Sequence, residues 1–300
     1  MIAITLLVRD ERDVIRANLE YHLAQGVDLA IVTDNGSADE TPEIVREYER
    51  AGVARLIAEP ADDYSQARWV TRMALAAAQA GASWVIHCDA DEFWWPAGSD
   101  LRSALGPVPA RTGVVRAARH NFAPRPDDGL PFWERMTLRD LDSRSAGGRP
   151  LPPKVAHRAH PEAEVSMGNH RVSGPDLGDT LEPDRSPLEI LHFPLRTYGQ
   201  FENKIVKGGR ALRANRELPN KSGRTWRRLL KRWERGELPA YYESEVAAPL
   251  AQPERFVEDT RLRDFIRRLP AVAGDGQGTP SGSTPPRSGR HSDASSANSD

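Results

Sequence analysis

The stretch that decides the fold is WVIHCDADEF, which runs from Trp84 to Phe93. Its first half is apolar enough for a buried strand, and its second half places Asp89, Asp91 and Glu92 within four residues. Carboxylates this close raise one another's pKa, so the pattern calls for a compensating partner. A divalent cation with oxygen ligands is the usual one, and Asp89 and Asp91 project to the same side of an extended backbone. The stretch therefore predicts a strand that ends at a cation or nucleotide site, although an isolated D-x-D is often a simple acidic turn.

Upstream of this stretch, apolar runs alternate with amphipathic helices. Strands are predicted at 2–8, 29–33, 53–58 and 83–88, and helices at 13–25, 41–51 and 65–80. Such alternation is typical of an α/β fold with a Rossmann-like, mostly parallel central sheet flanked by helices. Ligands bind such sheets at the carboxyl ends of the strands. We therefore expect the polar clusters after the first, second and fourth strands to meet in one cleft.

Downstream of about residue 97 the pattern loosens into a loop-rich region. Short strands are predicted around Val155, Val165 and Val172, a stronger one at 188–193, and helices near 198–214 and 224–236. We expect residues 216–270 to form a C-terminal helical extension. Residues 271–300 are rich in Gly, Ser, Pro, Asp and Asn, a composition too polar to bury a core, and predict a disordered tail.

Net charge, cysteine count and apolar runs limit the partners and the cellular compartment that the sequence favours. The 300-residue chain has a formal net charge of -2, so no nucleic acid partner is expected. Cys88 is its only cysteine, which excludes an intrachain disulfide and argues against a Cys-based zinc site. No run approaches the roughly 18 apolar residues of a membrane-spanning helix. The N-terminus also lacks the basic segment of a signal peptide. A cytoplasmic protein is therefore expected.

Residues 224–236 predict a basic amphipathic helix. Its apolar positions follow helical spacing, and cations surround them: Trp226, Leu229, Leu230 and Trp233, with Arg224, Arg227, Arg228, Lys231, Arg232 and Arg235. A helix of this kind either lies on an anionic membrane surface or packs on the protein with a solvated charged rim. The packed interpretation is the commoner one, and peripheral membrane contact through 224–236 stays open.

Four motifs in order resemble the family-2-like GT-A glycosyltransferases, in particular the subgroup whose D-x-D reads D-x-D-E-F. They are Arg9-Asp10-Glu11 with the following Tyr21-His22 and Gly26-Val27, Asp34-Asn35-Gly36-Ser37-Ala38-Asp39-Glu40-Thr41, Gln66-Ala67-Arg68, and Asp89-Ala90-Asp91-Glu92-Phe93. The resemblance covers residues 1–96 well and 150–215 weakly. It implies a GT-A domain over 1–215, with a nucleotide-sugar-binding half at 1–96 and an acceptor half at 97–215.

The resemblance also implies an activity, namely metal-dependent transfer of a sugar from a nucleotide-diphosphate sugar to an unidentified glycan, lipid-linked or small-molecule acceptor. Asp91 would be the principal ligand of Mn²⁺ or Mg²⁺, with Asp89 reaching the ion or the ribose. One late histidine, His170 or His192, would join the metal. The remaining donor contacts would come from Arg9, Glu11, Asp34, Gln66 and Arg68.

Several alternatives remain at this stage. For Asp34 the alternative to a donor contact is an Asx turn that satisfies backbone amides. The catalytic base stays unassigned among Asp127, Asp128 and Glu134. His157 and His160 form an H-x-x-H pair in a Pro-rich segment and are interpreted as surface residues. Two other functions compete with sugar transfer: a phosphatase of the haloacid-dehalogenase kind, which also has a D-x-D after a strand, and a non-catalytic module that binds nucleotide or glycan.

Overall fold

The computed structural model describes residues 1–63, 65–216, 218 and 223–270. The predicted disordered tail, 271–300, lies outside these residues. The strands are β1 (Ile2–Val8), β2 (Leu29–Asp34), β3 (Ala54–Ala58), β4 (Trp84–Asp89), β5 (Glu92–Pro96), β6 (Thr112–Asn121), β7 (Leu138–Asp140), β8 (Lys154–Arg158), β9 (Glu164–Val165), β10 (Val172–Ser173), β11 (Asp179–Leu181), β12 (Leu188–His192) and β13 (Phe256–Glu258). The helices are α1 (Ile15–Ala24), α2 (Thr41–Arg50), α3 (Gln66–Gln79), α4 (Leu101–Leu105), α5 (Phe132–Arg135), α6 (Tyr198–Ala214), α7 (Arg224–Glu234), α8 (Leu238–Ala251) and α9 (Arg261–Ile266).

One mixed, mostly parallel sheet forms the centre of the described chain. Its strand order is β3-β2-β1-β4-β8-β6-β12-β5, and β11 adds to the edge of β6. Strands β1 to β4 are mutually parallel, as the alternation of strands and helices predicts, whereas β8 runs antiparallel to both β4 and β6. The predicted α/β architecture with a mostly parallel sheet and flanking helices is confirmed.

The register of the parallel strands brings their carboxyl ends to one edge. Val8 pairs with Asp34 across β1 and β2, and Leu7 pairs with Asp89 across β1 and β4. The apolar residues of β1 are buried on both faces, as expected of a central parallel strand. The polar residues that follow these three strands are thereby collected at one end of the sheet.

The Tyr21-His22 pair in α1 fastens that helix to β5. The Tyr21 hydroxyl donates to the Trp94 carbonyl at 3.0 Å, and the Trp94 amide donates to His22 Nε2 at 3.2 Å. His22 Nδ1 lies 2.8 Å from the Asn18 carbonyl, which fixes the proton on Nδ1. Both aromatic side chains are buried. This pair therefore positions the backbone directly after the D-x-D-E-F motif, and Trp94 itself belongs to the core.

The surface interpretation of His157 is wrong. His157 lies on β8, between β4 and β6 in the middle of the sheet, and is fully buried. Its ring stacks on that of His87 with centroids 5.0 Å apart. The nearby prolines indicate a loop in the sequence, but Lys154–Arg158 is a short strand whose inward position is set by partners 37 to 74 residues away in the chain.

The buried histidines predict a fold that loses stability in mild acid. Burial lowers the pKa of His22 and of His157 to about 4, from 6.5 in the unfolded chain. Between these values the unfolded chain binds protons that the folded chain does not, so the stabilisation is complete above pH 6.5 and is lost as the pH falls towards 4. Each group contributes about 1.4 kcal/mol per pH unit in this window. We expect urea unfolding at pH 7.5, 6 and 5 to give a falling free energy of unfolding. A smaller slope is expected in His22→Gln, and an unchanged free energy across this range would contradict the prediction.

Helix α7 packs on the protein through its apolar face. Leu229 and Leu230 are buried in a cluster with residues of α6 and α8, and the Trp233 indole donates to Glu202 Oε1 at 3.0 Å. Opposite this face lies a stripe of exposed cations: Arg224, Arg228, Lys231 and Arg235. No helix in the described part of the chain has the length and apolarity needed to cross a membrane.

Candidate active site

A cavity of about 100 Å³ lies at the carboxyl ends of β1, β2 and β4. The strand-end residues that line it are Leu7, Val8, Arg9, Asp10, Glu11, Asn35, Asp89 and Ala90. Helix α3 contributes Gln66, and α6 and α7 contribute Asn203, Lys204, Lys207, Gly208 and Trp226. The polar clusters after the first, second and fourth strands thus meet at one cavity, as the strand order predicts.

Asp91 lies at the centre of a buried charge network beside this cavity. Only 1% of the residue is exposed, and its Oδ2 lies 2.6 Å from Lys204 Nζ and 3.7 Å from Arg196 Nη1. Burial alone would raise the pKa of Asp91, but the Lys204 ammonium outweighs burial and holds that pKa well below its usual value. These contacts therefore favour the ionised form of Asp91.

The second oxygen of Asp91 faces a histidine nitrogen rather than a hydrogen-bond donor. Asp91 Oδ1 is buried without a hydrogen-bond partner, and His192 Nε2 lies 3.8 Å from it. His192 Nδ1 lies 2.7 Å from Asn121 Oδ1, and the Asn121 amide nitrogen donates to the Arg144 carbonyl at 3.3 Å. Since Asn121 Oδ1 only accepts, Nδ1 carries the proton and Nε2 presents a lone pair. Burial lowers the pKa of His192 to about 3, which keeps the ring neutral.

Two lone-pair atoms that face each other in a buried site fit a cation between them. A carboxylate oxygen and a neutral imidazole nitrogen are both ligands of divalent metals, and the Asn121 contact is the kind of outer hydrogen bond that orients a ligating histidine. Among the described residues, no group of three or more His, Cys, Asp and Glu side chains is placed to hold a metal ion. The chain thus offers a partial set of ligands.

Asp89 occupies a different environment from Asp91. Its Oδ2 lies 2.6 Å from Lys154 Nζ, and its Oδ1 accepts from the Asn169 amide at 3.1 Å. Lys154 is itself 1% exposed and also lies 3.4 Å from Glu92. Both Asp89 oxygens are therefore already engaged, and its partly exposed side chain borders the cavity as a hydrogen-bond acceptor. Glu92 is fully buried and paired with Lys154 and Arg119, beneath the site.

Arg196 joins the first strand end to the D-x-D-E-F motif. Its guanidinium is fully buried and contacts Glu11 at 2.5 Å and Asp13 at 2.7 Å, in addition to Asp91. Burial opposes the charge of this group, yet the carboxylates of Glu11 and Asp13 raise the pKa of Arg196 above its usual value. The loop after β1 is thereby held at a fixed distance from Asp91.

The other residues predicted to contact the nucleotide-sugar divide into those that line the cavity and those that do not. Arg9 and Gln66 line the cavity, where Arg9 pairs with Asp62 at 2.6 Å and Gln66 Oε1 accepts from the Gly168 amide at 3.0 Å. Asp34 instead accepts from the hydroxyl and amide of Ser37, which is the Asx-turn alternative, and its neighbour Asn35 lines the cavity. Arg68 is exposed on α3 and is not among the described lining residues.

The other candidates lie further away. His170 Nδ1 lies 3.0 Å from the Pro153 carbonyl, on the Asp89 and Lys154 side of the site rather than beside Asp91. Among the possible bases, Glu134 pairs with Arg267, and Asp127 lines another cavity of about 550 Å³ with Tyr198 and Tyr242. None of Asp127, Asp128 and Glu134 is among the described residues that line the first cavity.

Sequence reasoning missed five residues of this site: Asn121, Lys154, Arg196, Lys207 and Trp226. For Lys207 a signal existed, because it follows Asn203 and Lys204 on one face of a helix. Arg196 stands four residues after His192, which the resemblance implies as a possible metal ligand. Lys154 and Asn121 carry no local signal, since their partners lie 65 and 71 residues away.

No family model matches the sequence. A TPR repeat-containing protein of Synechococcus elongatus is 39% identical over 105 residues, which are 35% of this chain and 24% of that protein. The chain thus matches about a quarter of the length of this curated relative.

Similar solved structures include TarS 1-349 of S. aureus in complex with UDP, with a TM-score of 0.40, 14% identity and coverage of 83% of this chain and 70% of that one. Glucosyl-3-phosphoglycerate synthase of Mycobacterium tuberculosis, in complex with Mn²⁺, UDP and glucosyl-3-phosphoglycerate, has a TM-score of 0.38, 14% identity and coverage of 74% and 81%. GalNAc-T7 with UDP, GalNAc and Mn²⁺ has a TM-score of 0.41, 12% identity and coverage of 83% and 57%. Likeness at this level carries no substrate or activity over to this chain.

Proposed function

We propose that this chain is a glycosyltransferase of the GT-A type that moves a sugar from a nucleotide-diphosphate sugar to an acceptor, with Mn²⁺ or Mg²⁺ at the D-x-D motif. One observation carries the proposal: Asp91 Oδ1, which is buried without a hydrogen-bond partner, lies 3.8 Å from His192 Nε2. They lie beside a cavity at the strand ends of a parallel sheet, where nucleotides are commonly bound.

Asp91 and His192 would hold the cation, and the donor diphosphate would complete its ligands. Bound there, a divalent ion supplies Lewis-acid stabilisation of the leaving diphosphate. Asp89, Glu11, Arg9, Asn35 and Gln66 line the cavity and would bind the nucleotide. Asp34 would act through its neighbour by shaping the turn that presents Asn35.

Arg196 and Lys154 have a positioning role in this proposal. Both cations are buried: Lys154 bridges Asp89 and Glu92 within the D-x-D-E-F motif, and Arg196 joins Glu11 to Asp91. They fix Glu11, Asp89 and Asp91 in place before the donor arrives. A preorganised site needs little rearrangement as charge develops on the leaving group, so less free energy is lost to reorganisation.

Thermal unfolding with a nucleotide panel tests the proposal. UDP-, GDP- and dTDP-sugars are added to the wild-type protein with Mn²⁺ or with EDTA, and a ligand that binds the folded chain raises the melting temperature. A metal-dependent shift with one nucleotide, together with slow hydrolysis of its sugar, supports the transferase. Phosphomonoester turnover without a nucleotide-sugar shift would favour the phosphatase alternative. A shift that is never followed by hydrolysis or transfer would favour the binding module.

A matched pair of histidine variants tests which late histidine holds the metal. We expect His192→Gln to raise the Mn²⁺ concentration needed for half-maximal nucleotide stabilisation by about 10–100-fold. His170→Gln is expected to change it little, because His170 contacts the Pro153 carbonyl and lies near Asp89 and Lys154 rather than Asp91. Titration of Mn²⁺ at fixed nucleotide measures both. Equal shifts in the two variants would contradict the assignment of His192.

The predicted peripheral membrane contact through 224–236 has to use charge rather than apolar insertion, because the apolar face of α7 is buried in the protein. Contact with anionic headgroups would go through the exposed cations on the opposite side of the helix. The acceptor, whether glycan, lipid-linked or a small molecule, stays a separate question from the donor site.

A further inference from the structure

Helices α6 and α7 form the wall of the cavity that faces the strand ends. Asn203, Lys204, Lys207 and Gly208 follow one face of α6, and Trp226 comes from α7. For helix α7 the sequence predicts either membrane contact or packing on the protein. The helix therefore also contributes a residue to the cavity wall. We call these five residues the roof.

The Trp226 indole packs directly on the backbone of α6, which is possible because Gly208 has no side chain. A Cβ atom built on Gly208 would lie 1.8 Å from a ring carbon of Trp226, so a glycine is required for the indole to lie on the helix backbone. Behind it, Leu229 and Leu230 are buried against α6. The ring is thus fixed in position while it borders the cavity.

Two lysines stand one helical turn apart beside this ring. Lys204 Nζ lies 2.6 Å from Asp91 Oδ2, and Lys207 Nζ pairs with Asp10 Oδ2, which also accepts from the Asn203 amide at 3.0 Å. The lysine side chains are 23% and 33% exposed, so both can be reached from the cavity. The roof therefore presents an aromatic ring and two ammonium groups to the same space.

This arrangement complements a nucleoside diphosphate, which joins a planar base to an anionic group. We propose that Trp226 stacks on the nucleobase and that Lys207, with Lys204, binds the diphosphate. The inference rests on the proposed transferase function and names the part of the donor that the roof recognises. Base–aromatic stacking suits any base because each has a π face, and lysine binds phosphate as a point charge.

The roles proposed for Lys207 and Trp226 predict different changes in nucleotide affinity. Isothermal titration with a nucleoside monophosphate and the matching diphosphate is performed in Mn²⁺ on the folded full chain, with UMP and UDP, GMP and GDP, and dTMP and dTDP. We expect Lys207→Met to weaken the diphosphate by about tenfold and the monophosphate by less, because it removes a charge at the second phosphate. We expect Trp226→Ala to weaken both nucleotides by the same factor, about tenfold, and Trp226→Phe to retain most of the affinity.

Lys231→Met is the matched control, since Lys231 is an exposed lysine on the opposite face of α7. Equal loss of monophosphate and diphosphate in Lys207→Met, or unchanged affinities in Trp226→Phe and Trp226→Ala, would overturn the assignment of the roof while leaving the transferase in place. If Trp226→Ala weakens a UDP-sugar but not UDP, the ring contacts the sugar and the base assignment is wrong. If the wild-type chain binds none of the six nucleotides, the proposed function fails with it.

Discussion

We expect the Asp91→Asn variant to fold but to lose the metal-dependent stabilisation by nucleotide, with transfer slower by about a thousandfold. Asparagine keeps the shape of the side chain and an oxygen for the Lys204 ammonium, but it removes the charge that faces His192. Lewis-acid stabilisation of the leaving group is worth several kcal/mol, which corresponds to a rate factor of about 10³. Thermal shift with and without Mn²⁺, followed by turnover of the donor, measures both effects.

Glu92→Gln is the matched control for Asp91→Asn. Glu92 belongs to the same charge network and is equally buried, but it lies beneath the site, paired with Lys154 and Arg119. This variant is expected to lower the melting temperature while keeping the metal response. The opposite pattern, in which Glu92→Gln removes the metal response and Asp91→Asn preserves it, would refute the assignment of Asp91.

The second large effect is expected on stability, in Arg196→Met. Removing this guanidinium takes away the ion-pair partner of Asp13 and leaves Glu11 and Asp91 with Lys204 alone. Loss of one partner from a buried ion pair costs about 3–5 kcal/mol, because the remaining charge stays desolvated. We expect urea unfolding at pH 7 to show this loss relative to the wild type.

An exposed arginine provides the comparison. Arg12 pairs with Glu40 at 2.8 Å, and both side chains are more than half exposed. Arg12→Met is expected to leave the urea midpoint nearly unchanged, since solvent already screens this pair. If the two arginine variants lose similar stability, the buried network is not what holds the loop after β1.

The sequence predicts the frame of this site well, because local patterns determine it. The strands expected at 2–8, 29–33 and 83–88 are observed at Ile2–Val8, Leu29–Asp34 and Trp84–Asp89. Strands connected by helices pair in parallel, so their carboxyl ends lie at one edge of the sheet. The convergence of Glu11, Asn35 and Asp89 can therefore be predicted from the strand and helix pattern alone.

The cations of the site are not predictable in this way. Lys154 and Arg196 look like ordinary charged residues in the sequence, and only the pairing of β8 with β4 and the turn after β12 brings them to Asp89 and Asp91. The same pairing buries His157, which the sequence places at the surface. Asp34 shows a limit of motif reasoning, since the residue fits both a ligand contact and an Asx turn, and its contacts with Ser37 are made within its own loop.

The continuous sheet has a consequence for ligand exchange. Because β4 bonds to β1 on one side and to β8 on the other, the two halves of the chain share one backbone ladder and cannot open as hinged lobes. The cavity of about 100 Å³ is smaller than ordinary ligand pockets, so the proposed donor would need additional space. The roof meets the strand ends through the ion pairs of Lys204 and Lys207 rather than through a backbone ladder. If the proposed donor binds here, the roof is the part of the cavity wall that can move without breaking the sheet, and we expect faster amide exchange in α6 than in β1 and β4.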